Sequence, residues 1–134
     1  MKITAHLSSA EADCHDEANT PYPPQWVATR LLPLALVFEE IRHRCGDTPI
    51  TIADIYRTPA HNVAVGGERG SWHLQGMAMD LHTPAGFTAE QFHALILAMA
   101  QEPGSAVGGL GRYAWGVHVD IRPCVDGALA RWNG

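Results

Sequence analysis

The sequence predicts an α+β domain in which helices pack on a small, mainly antiparallel sheet. Three observations carry that expectation. Two stretches repeat apolar residues at helical spacing: Leu34, Val37, Phe38 and Ile41, then Phe92, Leu95, Ile96 and Met99. Short β-prone stretches bounded by glycine or proline lie between and after them. The last two of these, 107–113 and 115–121, are close enough in sequence to pair as a hairpin, which makes them antiparallel. With 134 residues the chain reads as one domain, 1–134, long enough to bury a core without staples.

Each element has a local reason. Residues 1–24 are polar and turn-rich. Pro21, Pro23 and Pro24 exclude a helix there, so the segment reads as an extended N-terminal arm. A short helical turn is expected over 25–30. Pro33 suits the first position of the next helix, where its missing N–H does no harm. Arg42, His43 and Arg44 complement the dipole of that helix's last turn, and Gly46 stops it. A strand follows over 51–56, then a short helix over 59–64 with Thr58 as cap. Residues 66–70 form a glycine-rich loop. A strand over 77–82 leads to the second long helix, which Thr88 caps and Gly104 ends.

Composition narrows the function classes. Hydrophobic residues make up 46% and charged residues 17%, the balance of a globular protein and not of a disordered one. No apolar run approaches the roughly 18–20 residues needed to span a bilayer. The first residues lack the apolar stretch of a secretory signal, so a cytoplasmic location is expected until some other route releases the protein. The net charge of −5 comes without a clustered basic patch, so neither nucleic acid nor membrane is an expected partner. Cys14, Cys45 and Cys124 are odd in number and lack C-x-x-C spacing. That argues against a disulfide framework and a cysteine-based zinc ribbon, and for plain thiols in a reducing compartment.

Eight histidines remain to be sorted by position. Two segments stand out, Ser71-Trp72-His73-Leu74-Gln75-Gly76-Met77-Ala78-Met79-Asp80 and Gly116-Val117-His118-Val119-Asp120. Two neutral imidazoles and one carboxylate suit a zinc ion that keeps a position open for water. Gly76 can turn the chain so that a loop histidine and a strand aspartate converge. His118 and Asp120 share a strand face, since side chains alternate with period two. Spacing alone leaves open that each histidine is an ordinary half-buried residue. His82 is on the same face as Asp80 and could line a cleft, and Trp72 and Trp115 could wall it. His61 is expected to pack or cap, and His6, His15, His43 and His93 to lie on the surface.

The ordered combination resembles a known family. S-x-H-x-x-G-x-A-x-D followed by a strand bearing H-V-D is similar to the zinc D-alanyl-D-alanine carboxypeptidases and related peptidoglycan peptidases, peptidase family M-fifteen. Tyr56-Arg57-Thr58-Pro59 resembles the Y-R-[ST]-P stretch that precedes the motif there. Ala130-Arg131-Trp132 resembles the close of the compact phage and bacterial subgroup. The resemblance implies a hedgehog/D-Ala-D-Ala peptidase-like fold with the zinc site at the sheet. It implies Zn2+ held by His73, Asp80 and His118, a substrate-binding Ser71, and Arg57 over the scissile peptide as substrate and oxyanion ligand. The expected partners are peptidoglycan peptides and the expected state is a monomer. A phage lysis or virion-borne role is one route to the wall.

One position departs from the pattern. Many relatives carry an acidic residue or histidine three places before the last ligand as general base, and here that residue is Trp115. Asp120 is the nearest carboxylate on the strand face. It is read either as the catalytic proton carrier or as a group that orients a ligand, with His82 and Glu68 next in line for the proton. Two other functions compete. One is a metal-binding module without catalysis on the same scaffold. The other is a non-haem iron oxygenase, whose triads usually begin H-x-D on a jelly roll, unlike the seven-residue separation of His73 and Asp80.

Overall fold

The computed structural model describes residues 1–134. Its centre is a pair of antiparallel strands, β4 (Ala78–His82) and β6 (Gly116–Asp120), with Asp80 opposite His118. Alternation splits their side chains cleanly. Met79, Leu81, Val117 and Val119 are fully buried on one face and belong to the hydrophobic core. Ala78, Asp80, His118 and Asp120 occupy the other face. The five-stranded sheet has the order β3-β4-β6-β5-β7, with β3 (Ile52–Asp54) at one edge, β5 (Gly109–Arg112) beyond β6 and β7 (Ala130–Asn133) at the other edge.

The expected α+β class is the observed one. Helix α2 (Leu32–Arg44) buries Leu34, Val37, Phe38 and Ile41, the stripe predicted from spacing. Helix α4 (Ala89–Ala100) starts at a capping box between Thr88 and Gln91, buries Phe92, Ile96 and Met99, and packs on β5 and β6. Helix α3 (Pro59–Ala64) is capped by the Thr58 side chain, which accepts from the His61 N–H. No helix is long and apolar enough to cross a membrane.

Four features differ from expectation. The first 24 residues are not a plain extended arm. They contain a two-stranded ribbon, β1 (Lys2–Thr4) and β2 (Leu7–Ser8), and a single turn, α1 (Ser9–Ala12). Ser8 and Glu11 cap that turn reciprocally, a signal present as S-x-x-E in the sequence. Second, the turn expected over 25–30 is a 3-10 turn (Pro24–Trp26) and a π-turn (Val27–Leu31) running straight into α2. Pro33 lies just inside α2, has no N–H to give, and crowds the carbonyl four residues back. Widening the preceding turn, so that the Leu32 N–H reaches the Val27 carbonyl, accommodates it. Third, the strands are one to three residues shorter than expected, and the register between β3 and β4 shifts between Ile52 and Asp54. Fourth, the sheet is mixed. A last strand, β7 (Ala130–Asn133), runs parallel to β5 and covers the edge that β5 would otherwise leave open.

The N-terminal segment is part of the core. Leu7, Ala12, Cys14 and Tyr22 are all buried. Tyr22 makes edge-on contacts with Trp26 and Tyr56, and its hydroxyl donates to the Gly76 carbonyl at 2.7 Å. Its ring also occupies the space a side chain at position 76 would need, where a Cβ would fall 2.6 Å from the hydroxyl. The same glycine has φ +66°, so conformation and space both require it. We expect Tyr22→Ala to cost about 3–5 kcal/mol, as for other buried aromatic truncations. In urea the midpoint falls while the slope stays constant; a midpoint within error of wild type would show the segment to be dispensable.

Candidate metal centre

Three elements deliver the central residues. A 3-10 turn (Trp72–Gln75), capped by the Ser71 hydroxyl accepting from the His73 N–H, presents His73. The left-handed Gly76 ends that turn and redirects the chain into β4, which presents Asp80. Strand β6 presents His118 directly across the ladder. His73 Nε2 lies 3.1 Å and His118 Nδ1 3.2 Å from Asp80 Oδ1. The three candidate ligand atoms are within 4.8 Å of one another, and all three residues are buried.

Protonation decides what such a cluster can hold. His73 Nδ1 lies 2.7 Å from the Ile55 carbonyl, which only accepts, so Nδ1 carries the proton and Nε2 is left as a lone pair. His118 Nε2 lies 2.7 Å from Asp120 Oδ2, so Nε2 donates there and Nδ1 is left as the free lone pair. Asp80 Oδ1 is buried without a hydrogen-bond partner. With neutral rings, three acceptor atoms therefore point at one another with no proton between them. That arrangement is costly alone and is relieved by a cation. Two imidazoles and a carboxylate are a fitting donor set for zinc with an open position.

The surrounding charges act on the same groups. Burial alone would raise the pKa of Asp80, but the imidazoles of His118 and His73 outweigh it and hold the carboxyl well below the usual carboxylate range. Burial alone would lower the pKa of His118, but Asp120 and Asp80 outweigh it and push it up.

Of the two roles left open for Asp120, proton carrier or group that orients an imidazole, its contacts favour the second. It is fully buried behind the ring of His118. Its Oδ2 accepts from His118 Nε2 and from Arg122 Nη2 at 2.6 Å. Its Oδ1 accepts from Arg122 Nε at 2.8 Å and from the Arg122 backbone N–H at 3.1 Å. Burial would raise its pKa, yet these donors hold it down at about 2. With four donors on two oxygens, Asp120 anchors the His118 ring and its lone pairs are taken. Gly109, opposite on β5, makes this possible, because a Cβ there would fall 2.3 Å from Asp120 Oδ2.

A cleft of about 690 Å³ opens over the triad. Arg57 enters it from the segment after β3. Its Nε donates to Asp54, its Nη1 to Asn62 at 3.2 Å and its Nη2 to Asp80 Oδ2 at 3.2 Å. Ser71 lies on the rim and Glu68 on the glycine loop. The aromatic wall expected from Trp72 and Trp115 is present and larger than anticipated. Trp115 stacks on Tyr113 with ring planes 5° apart, and Trp132 packs 4.9 Å from the ring of His118. His82 is exposed against Trp115 and does not line the cleft. His6 pairs with Glu39, and His43 faces Asp47 on the surface.

Sequence reasoning missed four residues of this site: Asp54 and Asn62, which hold Arg57, and Arg122 and Trp132, which cover His118. A clue was available. Gly109 and Gly111 leave one face of β5 without side chains, and glycines inside a strand mark close approach by something else.

The family model described as Peptidase M15 matches residues 5–120. The chain belongs to the peptidase M15 family. That family consists of zinc metallopeptidases, and the His73, Asp80 and His118 cluster is where this member could hold a metal. No curated protein sequence matches the chain significantly.

Orienting residues leave a measurable trace. We expect Asp120→Asn to weaken metal affinity by about 10–100-fold, since the amide holds the His118 ring less firmly. His73→Ala should abolish stoichiometric binding altogether. Competition with a chromogenic chelator measures both, and an Asp120→Asn variant with wild-type affinity would remove Asp120 from the centre.

Proposed function

We propose that the protein is a zinc-dependent peptidase acting on the peptides of peptidoglycan, with His73, Asp80 and His118 as metal ligands. The observation that carries this reading is the convergence of three buried candidate ligand atoms beneath an open cleft, with both imidazoles held on their far side by an acceptor. Within the family, the peptidoglycan substrate draws its support from the ordered motifs Tyr56-Arg57-Thr58-Pro59, Ser71 to Asp80 and His118-Val119-Asp120.

Zinc, when bound, supplies Lewis acidity and lowers the pKa of water. The chain's own residues do the rest. Three of the five N–H groups of Arg57 are taken by Asp54, Asn62 and Asp80, which lock its plane. The two that remain can hold negative charge developing on the carbonyl oxygen of a peptide lying in the cleft, at no cost of reorganisation. Ser71 offers its hydroxyl proton to the substrate while its oxygen caps the His73 turn. The proton carrier is Glu68. Trp115 cannot titrate, and Asp120 is saturated. Among the residues lining the cleft, Glu68 is the one carboxylate apart from Asp80, and it is exposed. Its carboxylate can take a proton from water and return it to the leaving amine.

Digestion of purified sacculi tests the function. New amino and carboxyl termini should appear on the peptides by mass spectrometry, disappear with a chelator and return with zinc. Zinc-loaded protein that leaves the peptides intact would end the proposal.

Two variants test the roles. Arg57→Lys keeps a cation beside Asp54 but loses the planar fork, so kcat/KM should fall about a hundredfold or more at full metal loading. Glu68→Gln should retain metal and lose about 10²–10⁴ in kcat. Unchanged turnover in either folded variant removes that residue from the mechanism.

A further inference from the structure

We infer that Arg122, held between Trp72 and Trp132 at the end of the cleft beside His118, is a receptor for a carboxylate of the substrate. The inference rests on the peptidase reading for the nature of the ligand, and on the structure for the site.

Arg122 is bound to Asp120 along one edge only. Nε and Nη2 are engaged with the carboxylate, while Nη1 has no protein acceptor within reach. The guanidinium carbon lies 5.6 Å from the ring of Trp72 and 5.2 Å from that of Trp132. Both distances are within the range of cation–π attraction. The two indoles and the buried Asp120 fix the plane of the side chain. It lines the cleft and is still about a quarter exposed.

A guanidinium that served only to hold Asp120 would need no opening to the cleft. The electrostatics point the same way. The chain carries a net charge of −5, and the only cations lining the cleft away from the ligands are Arg57 and Arg122. They stand on opposite sides of the triad, one on Asp80 and the other, through Asp120, on His118. A planar, preorganised fork with an unused N–H pair matches a carboxylate. With Arg57 at the carbonyl to be attacked, Arg122 anchors the peptide at a second point. The carboxylate could be the peptide's terminus or an acidic side chain along it, and both offer the same chemistry to Nη1.

The test uses three probes: acetyl-D-alanyl-D-alanine, its C-terminal amide, and acetyl-D-glutamyl-D-alanine amide, in which the side chain bears the only carboxylate. Binding is measured by calorimetry on the zinc-loaded full chain. It is repeated after chelation, where a terminal carboxylate has no metal to bind. In both states at least one carboxylate probe should bind wild type about 10–100-fold tighter than the plain amide. The probe that does so identifies the source. Arg122→Gln should erase that preference while leaving amide binding within about threefold, and Arg122→Lys should recover part of it. Equal binding of all three probes by wild type, or a preference that survives Arg122→Gln, overturns the inference. So does an Arg122→Gln variant that weakens every probe alike together with zinc, which is the signature of a residue that merely holds Asp120. Hydrolysis is read separately. Carboxylate preference without cleavage would leave the receptor standing and remove the peptidase reading, and cleavage without preference would do the reverse.

Discussion

The cross-strand pair Asp80–His118 is the constraint on which the rest depends. Because strand side chains alternate, a one-residue slip of β4 against β6 would turn one strand over, sending Asp80 or His118 toward the core and bringing Met79 or Val119 to the cleft face. The hydrophobic core therefore sets the candidate metal centre. Met79, Leu81, Val117 and Val119 bury only in one register, and that register places a carboxylate opposite an imidazole. His73 is then added from outside the sheet, aimed by the Ile55 carbonyl below it and the left-handed Gly76 after it. Tyr22, from a distant part of the chain, presses on that glycine and ties the N-terminal segment to the turn that presents the ligand.

The second layer of the site is a set of charges arranged in series. Asp54 holds Arg57, Arg57 touches Asp80, Asp80 faces both imidazoles, and His118 leads through Asp120 to Arg122. Every buried charge in this chain has an opposite neighbour, which is the condition for charges to persist away from water. The series runs from Asp54 to Arg122, and both of its arginines line the cleft. Desolvation stays tolerable because the cations are guanidinium groups, which are weakly hydrated, and Arg122 lies beside the faces of Trp72 and Trp132.

Much of this was legible in the sequence. The helices declared themselves through apolar spacing and caps, since both signals are local. Thr58, Thr88 and Gly76 act where the sequence placed them. The triad was legible because its residues fall in ordered motifs with turn chemistry between them. What failed was non-local. The parallel pairing of β7 leaves no local mark, and the ribbon before α1 is too short for periodicity. Asp120 was correctly placed on the face of His118, but its alternative roles depended on Arg122, whose side chain folds back two residues to saturate it. A carboxylate's role is decided by what donates to it, and a period-two pattern carries no information on donors.

The glycines of β5 have a consequence for the chain's stability. Gly108, Gly109 and Gly111 all have negative φ, so their backbone would accept any residue. Only the space above them is taken, by Arg122, Asp120 and the indole of Trp132. Each glycine leaves the unfolded chain freer and so disfavours folding, by about 0.4–1 kcal/mol relative to alanine where alanine fits. The domain thus carries a weak strand next to its most polar buried cluster. Selection for thermal tolerance alone would push toward filling these positions, and every step in that direction would displace Arg122, Asp120 or Trp132. In this chain the trade between robustness and an intact candidate site is localised to one short stretch, 108–111.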